Sequence, residues 1–184
     1  MKMFNKIIMA SEFDVNKLKA GVFHNAEGNI AAVEDGALVS IKEPMAHDLY
    51  ANQKDLNARK ITAYDENAPI FGVVDYVGVS HADVMGVNYR IGDKIAGVYP
   101  VAGERTRVRM FDLGDEFYLG DENFSGTPDL SNKYGVPANG STTWTLASAR
   151  PEKGLCIEIE DNKDLIMGQV NEGSKLYRCR VISL

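Results

Sequence analysis

Arg105-Thr-Arg-Val-Arg-Met110 alternates strictly from one residue to the next. In an extended chain that two-residue period sets Arg105, Arg107 and Arg109 on one face and Thr106, Val108 and Met110 on the other; no helix would keep them so sorted. Segments of similar length recur along the chain, each broken off by Gly, Asp or Pro. Residues 36–42 are entered through the turn pair Asp35-Gly36, and residues 58–64 follow as a second strand. Behind Pro69, residues 70–77 form a near-continuous apolar run whose Val, Phe and Tyr content predicts a buried strand. Residues 95–99 and 116–119 are shorter versions.

The last third repeats the pattern. Leu155, Ile157 and Ile159 alternate with Cys156, Glu158 and Glu160. Residues 164–170 form the next strand, and in the final one Tyr177, Cys179 and Val181 oppose Arg178 and Arg180. Arginines facing glutamates across a sheet would each add roughly 0.2–1 kcal/mol, enough to assist register. Two short helices are also predicted. Ser11 can cap a turn through Asp14, Val15 and Leu18 that stops at Gly21. After Pro44, the positions Met45, Leu49, Asn52 and Leu56 fall at helical spacing.

These elements predict a mainly β chain, a β-sandwich or barrel with an N-terminal arm and at most one or two short helices. The arm or short helix occupies residues 1–21. A single β-rich domain covers 22–184, with an excursion loop at 121–141 that holds Gly126, Pro128, Gly135, Pro137 and Gly140. Leu113-Gly-Asp-Glu116 recurs as Leu119-Gly-Asp-Glu122, and Ile91-Gly-Asp-Lys94 is similar. Gly-Asp suits strand-entry turns, and the copies are too short to define a repeat architecture.

A chain of 184 residues buries roughly 70% of its unfolded surface, so its core requires no staple. Its 26 acidic and 20 basic residues give a net charge of −6, which opposes general nucleic-acid binding. No apolar run approaches a membrane span. Lys6 interrupts the apolar N-terminus, so the expectation is a protein without an export segment, made and kept in a cytoplasm. Cys156 and Cys179 are then expected as two reduced, half-buried thiols; a disulfide would require their strands to lie side by side.

Residue patterns for catalysis are weak. Gly78-Val-Ser-His-Ala82 approaches a nucleophile elbow, but Ala82 replaces the second glycine, no histidine follows His81, and no helical period follows the serine. His24, His47 and His81 are far apart, outside any metal-binding spacing. Residues 112–122 are acidic but interrupted by Phe117, Tyr118 and Leu119, unlike a calcium loop. Carboxylate dyads are defined by spatial separation, which a sequence does not reveal. Phosphate-binding glycine loops are missing. The expectation is a non-enzyme without metal or cofactor.

Interaction residues are better candidates. Three guanidinium groups on one strand face need negative charge opposite them. That charge is either an acidic neighbouring strand of the same molecule or an acidic patch on a partner protein. Nucleic acid is a third reading, with Trp144 and the tyrosines as stacking groups but no motif to organise them. At the N-terminus, Met3, Phe4, Ile7, Ile8 and Met9 are apolar. They form either a core strand or an arm that docks on a neighbour as an added edge strand.

The succession Gly72-Val-Val-Asp-Tyr-Val-Gly-Val79, the Gly-Asp before Lys94, and Pro100-Val-Ala-Gly-Glu-Arg105 leading to Asp115-Glu-Phe-Tyr118 resembles small accessory proteins of tailed bacteriophages and prophages. These are the decoration or cement proteins encoded beside the major capsid protein. The similarity runs from about Phe4 to the end. It implies a virion structural protein, many copies of which bind the outside of the head and brace the major capsid protein lattice against packaged DNA. It supplies no catalytic residues. Self-association, for instance as a trimer at a threefold position, would suit that role. Two other classes remain open: another virion part (head–tail connector, tail or fibre-base protein), and a β-fold hydrolase with an unrecognised carboxylate pair.

Overall fold

Alternation along the strands is resolved into two β layers. The computed structural model describes residues 7–9, 17–47, 50–76, 102–103, 105–129, 131–163 and 176–184. Strands β2 (Leu18–Phe23), β3 (Leu38–His47), β4 (Tyr50–Ala63), β5 (Phe71–Tyr76) and β6 (Thr106–Met110) close into a barrel in the order β2-β4-β3-β5-β6. Only β2 and β4 run parallel; the other neighbours are antiparallel. The second layer is an antiparallel sheet of six strands. They are β1 (Ile7–Met9), β7 (Glu116–Gly120), β8 (Tyr134–Pro137), β9 (Trp144–Ala147), β10 (Cys156–Lys163) and β11 (Leu176–Ser183). Their order is β1-β7-β11-β10-β8-β9, which places the last strand of the chain near the middle. The protein is mainly β.

The apolar run of β5 follows from burial on both faces. Val74 points into the barrel with Phe23, Val39, Ile41, Ile61 and Val108. Val73 points outward into a second core with Leu38, Phe111, Phe117, Trp144, Ile157, Tyr177 and Val181. Both valines are fully buried, and each contributes about 1.5–3 kcal/mol by leaving water. β3 does the same with Leu38 outward and Val39 inward. The sheet therefore packs on the outside of the barrel at β3 and β5. Phe111 stacks on Phe117 at 5.7 Å and tilts against Trp144 at 5.9 Å in this interlayer core.

Backbone hydrogen bonds also tie the layers. Leu38 N–H donates to Thr142 O (2.8 Å), and Tyr64 N–H to Ser141 O (3.0 Å). The buried Asn123 spans the gap with its side chain. Its Nδ2 donates to Asp35 O (3.1 Å) and its Oδ1 accepts the Gly120 N–H (3.1 Å).

Three expectations are corrected. The helix expected across Met45, Leu49, Asn52 and Leu56 is instead the β3–β4 hairpin, which pairs Met45 with Asp55 and His47 with Tyr50; Leu49 lies outside the described residues. Register shifts flank Pro44, and an irregularity of this kind is where a strand tolerates a residue without an N–H. The helix expected to stop at Gly21 is replaced by β2 from Leu18 onward, while residues 11–16 lie outside the described set. Gly21 is there for closeness: a Cβ on it would sit 2.5 Å from Ile61 Cγ2. The segment 121–141, expected as a loop, carries a 3-10 turn at Asp121–Asn123 and strand β8. The strands expected at 95–99 and 164–170 fall on residues outside the described set.

Candidate functional site: charge clusters on the two layers

The arginine row finds its acid on the adjacent barrel strand. Asp75, on β5, accepts from Arg107 Nε at 2.7 Å and from Arg109 Nη2 at 3.3 Å. A register shift between Val74 and Tyr76 aligns one carboxylate with two arginines of β6. The Asp75 side chain is only 3% exposed and that of Arg109 10%, whereas Arg107 is 49% exposed. Of the readings open for this row, Arg107 and Arg109 thus follow the intramolecular one. Arg105 is exposed at the entrance to β6. Asp75 was missed in the sequence because it sits inside an apolar run. A lone acid in such a run, beside an arginine-alternating strand, was the available signal.

A second cluster lies on the face of the sheet turned away from the core. Arg178 and Arg180 of β11 alternate with the buried Tyr177, Cys179 and Val181. Glu116 of β7 receives Arg178 at 2.5 Å and Arg180 at 2.8 Å. Glu160 of β10 faces the same two arginines at 3.4 and 2.8 Å. Two acids and two arginines thus form a closed ring across three strands. The Arg178 and Arg180 hydrogen bonds hold the Glu116 carboxyl below its ordinary value, and the same hydrogen bonds raise both arginines in turn. Beside the ring, Lys133 donates to Glu158 at 2.9 Å and lies 5.2 Å from the Tyr134 ring centre. The arginine–glutamate facing expected from alternation is present here, with Glu116 an unforeseen member.

Other polar residues are similarly engaged. Lys42 pairs with Asp65, and Lys17 with Asp112. His24 is buried and donates from Nδ1 to Val22 O at 3.0 Å. Cys156 and Cys179 are free and buried; burial pushes the Cys156 thiol up to about 11 and raises Cys179 as well. Their strand partners are Ser183 and Ile159, respectively, so the two cysteines are not paired across the sheet.

Among the N-terminal candidates, Ile7 and Ile8 lie on β1, which pairs with Leu119 and Tyr118 of β7 and forms one end of the sheet. Met3 and Phe4 lie outside the described residues, as do residues 78–82 with Ser80 and His81. Among the described residues, no group of three His, Cys, Asp or Glu side chains is placed to hold a metal ion, and no helix is long and apolar enough to cross a membrane. The chain matches no protein-family model, no curated protein and no solved structure.

Proposed function

We propose that this chain is a non-catalytic virion structural protein, a decoration or cement protein that binds the outside of a tailed-phage head and stabilises the major capsid protein lattice. One observation supports this reading most. The charged clusters on both layers close on themselves across strands, as Asp75 with Arg107 and Arg109, and as Glu116 and Glu160 with Arg178 and Arg180. Charge paired in this way fixes strand register and resists separation of neighbouring strands within each layer; it does not polarise a substrate. The sequence resemblance supplies the lattice as the partner.

Contact with the major capsid protein is assigned to two places. β1 is three residues long and, among the described strands, ends the sheet, so a strand of a neighbour can add to its outer edge through backbone hydrogen bonds. The exposed Arg105 and half-exposed Arg107 place positive charge at the surface, where an acidic patch of the capsid protein can meet it. A modest contact repeated at every lattice point, and shared through self-association of the chain, sums to strong retention by effective concentration. Mixing the purified protein with heads that lack it tests the reading. Saturable binding at a fixed ratio to the capsid protein is expected, with heads more resistant to heat. Absence of binding by a folded sample refutes the role. Arg105→Glu combined with Arg107→Gln should weaken binding while the fold persists, and unchanged affinity would remove the arginine contact.

A further inference from the structure

The loop between β8 and β9 is one place where the sheet grips the barrel. Tyr64 follows the end of β4 and is held on both sides of its backbone. Its N–H donates to Ser141 O, and its carbonyl accepts the Gly140 N–H at 2.7 Å. The loop is a tight turn closed by Ser141 N–H to Ala138 O (3.0 Å). Gly140 occupies its left-handed position at φ 79°. Asn139 is exposed at its tip, and its Oδ1 accepts the Glu66 N–H at 3.4 Å.

An asparagine followed by glycine is the pairing in which the next backbone nitrogen is least hindered from reaching the side-chain amide carbon, because glycine has no Cβ. The Gly140 nitrogen loses its proton to base and bonds to Asn139 Cγ, and the amide nitrogen leaves as ammonia. The cyclic imide is then opened by one water at either carbonyl, which yields aspartate or isoaspartate. The sum is asparagine plus water giving the acid plus ammonia, with no change of oxidation state.

We propose that Asn139 is a spontaneous deamidation site whose conversion is gated by the clasp on Tyr64. The nitrogen that must attack is the one whose N–H is bound by Tyr64 O, so ring closure waits until the clasp opens. Conversion weakens the clasp that gated it. The isoaspartyl form adds a methylene to the backbone of the turn, and either product places a new negative charge beside Glu66 and its neighbour Asp65.

The test is incubation of the full chain at mildly alkaline pH, native and in denaturant, followed by digestion and mass spectrometry of the peptide containing residue 139. Both samples should accumulate aspartyl and isoaspartyl product at residue 139. The native rate should be at least about fivefold lower, the factor that one ordinary hydrogen bond contributes to an opening equilibrium. Gly140→Ala should slow the reaction in denaturant, where only hindrance at the attacking nitrogen matters. Equal native and denatured rates would overturn the gate. No conversion at residue 139 in denaturant would overturn the site. Complete protection of the native chain over many conversion times of the denatured one would overturn the opening of the clasp.

Discussion

Replacing Asp75 by alanine removes the carboxylate that the largely buried Arg109 reaches from β6. The carboxylate is 3% exposed and Arg109 10%, so solvent screens the pair poorly. Removing one member of such a pair costs about 3 kcal/mol or slightly more, because the remaining charge stays desolvated. Arg107 makes a shorter contact to the same acid, 2.7 Å, yet it is half in water. Arg107→Ala should therefore cost no more than about 1 kcal/mol. The shorter bond belongs to the weaker partner, and burial decides the order. Trp144 is the single tryptophan and is fully buried in the interlayer core, so its emission follows unfolding in urea. Asp75→Ala should lower the midpoint with an unchanged slope, and should lower the melting temperature by about 6–12 °C for a chain of this size. Asp75→Leu with Arg109→Met should recover most of the loss, since a buried ion pair is replaceable by apolar groups of similar volume. If Asp75→Ala costs as little as Arg107→Ala, or the apolar pair is worse than the single change, the buried-pair account is wrong.

Two further perturbations follow from local geometry. At Gly72, a Cβ would lie 2.1 Å from the Arg109 carbonyl oxygen, so Gly72→Ala must push β5 from β6; a loss of about 3 kcal/mol is expected in the same urea titration. The lowered Glu116 carboxyl gives a pH dependence of definite sign. Because its folded value lies below the ordinary 4.5, its contribution is complete above pH 4.5 and disappears as the pH falls through the folded value. Glu116→Gln should be less stable than the parent at neutral pH and should lose less stability between neutral and acid pH, as measured by urea titrations at several pH values.

Legibility of the fold depended on whether a strand is buried on one face, on two, or scarcely at all. β11 alternates cleanly from Tyr177 to Val181, and β6 and β10 alternate in sequence, because one face meets a core and the other carries charge; β5 announced itself by being apolar on both faces. β8 and β9 are four residues each, and β8 contains Gly135 and Pro137, so composition alone reads it as loop. Its glycine is required by packing: a Cβ there would meet Ile157 at 2.7 Å. The hairpin extension of β3 and β4 was misread for the opposite reason. Apolar residues spaced like a helix are outweighed when the two arms of a hairpin satisfy each other's backbone over a long register.

The charge clusters were half legible, and the missing half has a common cause. Alternation identifies which side chains share a face of one strand, so Arg105, Arg107 and Arg109, or Arg178 and Arg180, are visible from sequence. It gives nothing about which strand lies alongside. Glu116 is 62 residues from Arg178 and 64 from Arg180, and Asp75 is 32 from Arg107; their meeting is a property of strand order. β11 enters between β7 and β10, and that insertion converts three separately charged strands into one closed ring. The eight-residue strand β11 therefore supplies at once the buried Tyr177, Cys179 and Val181 and both cations of the ring, so a single strand carries the interlayer core on one face and the outer charge ring on the other.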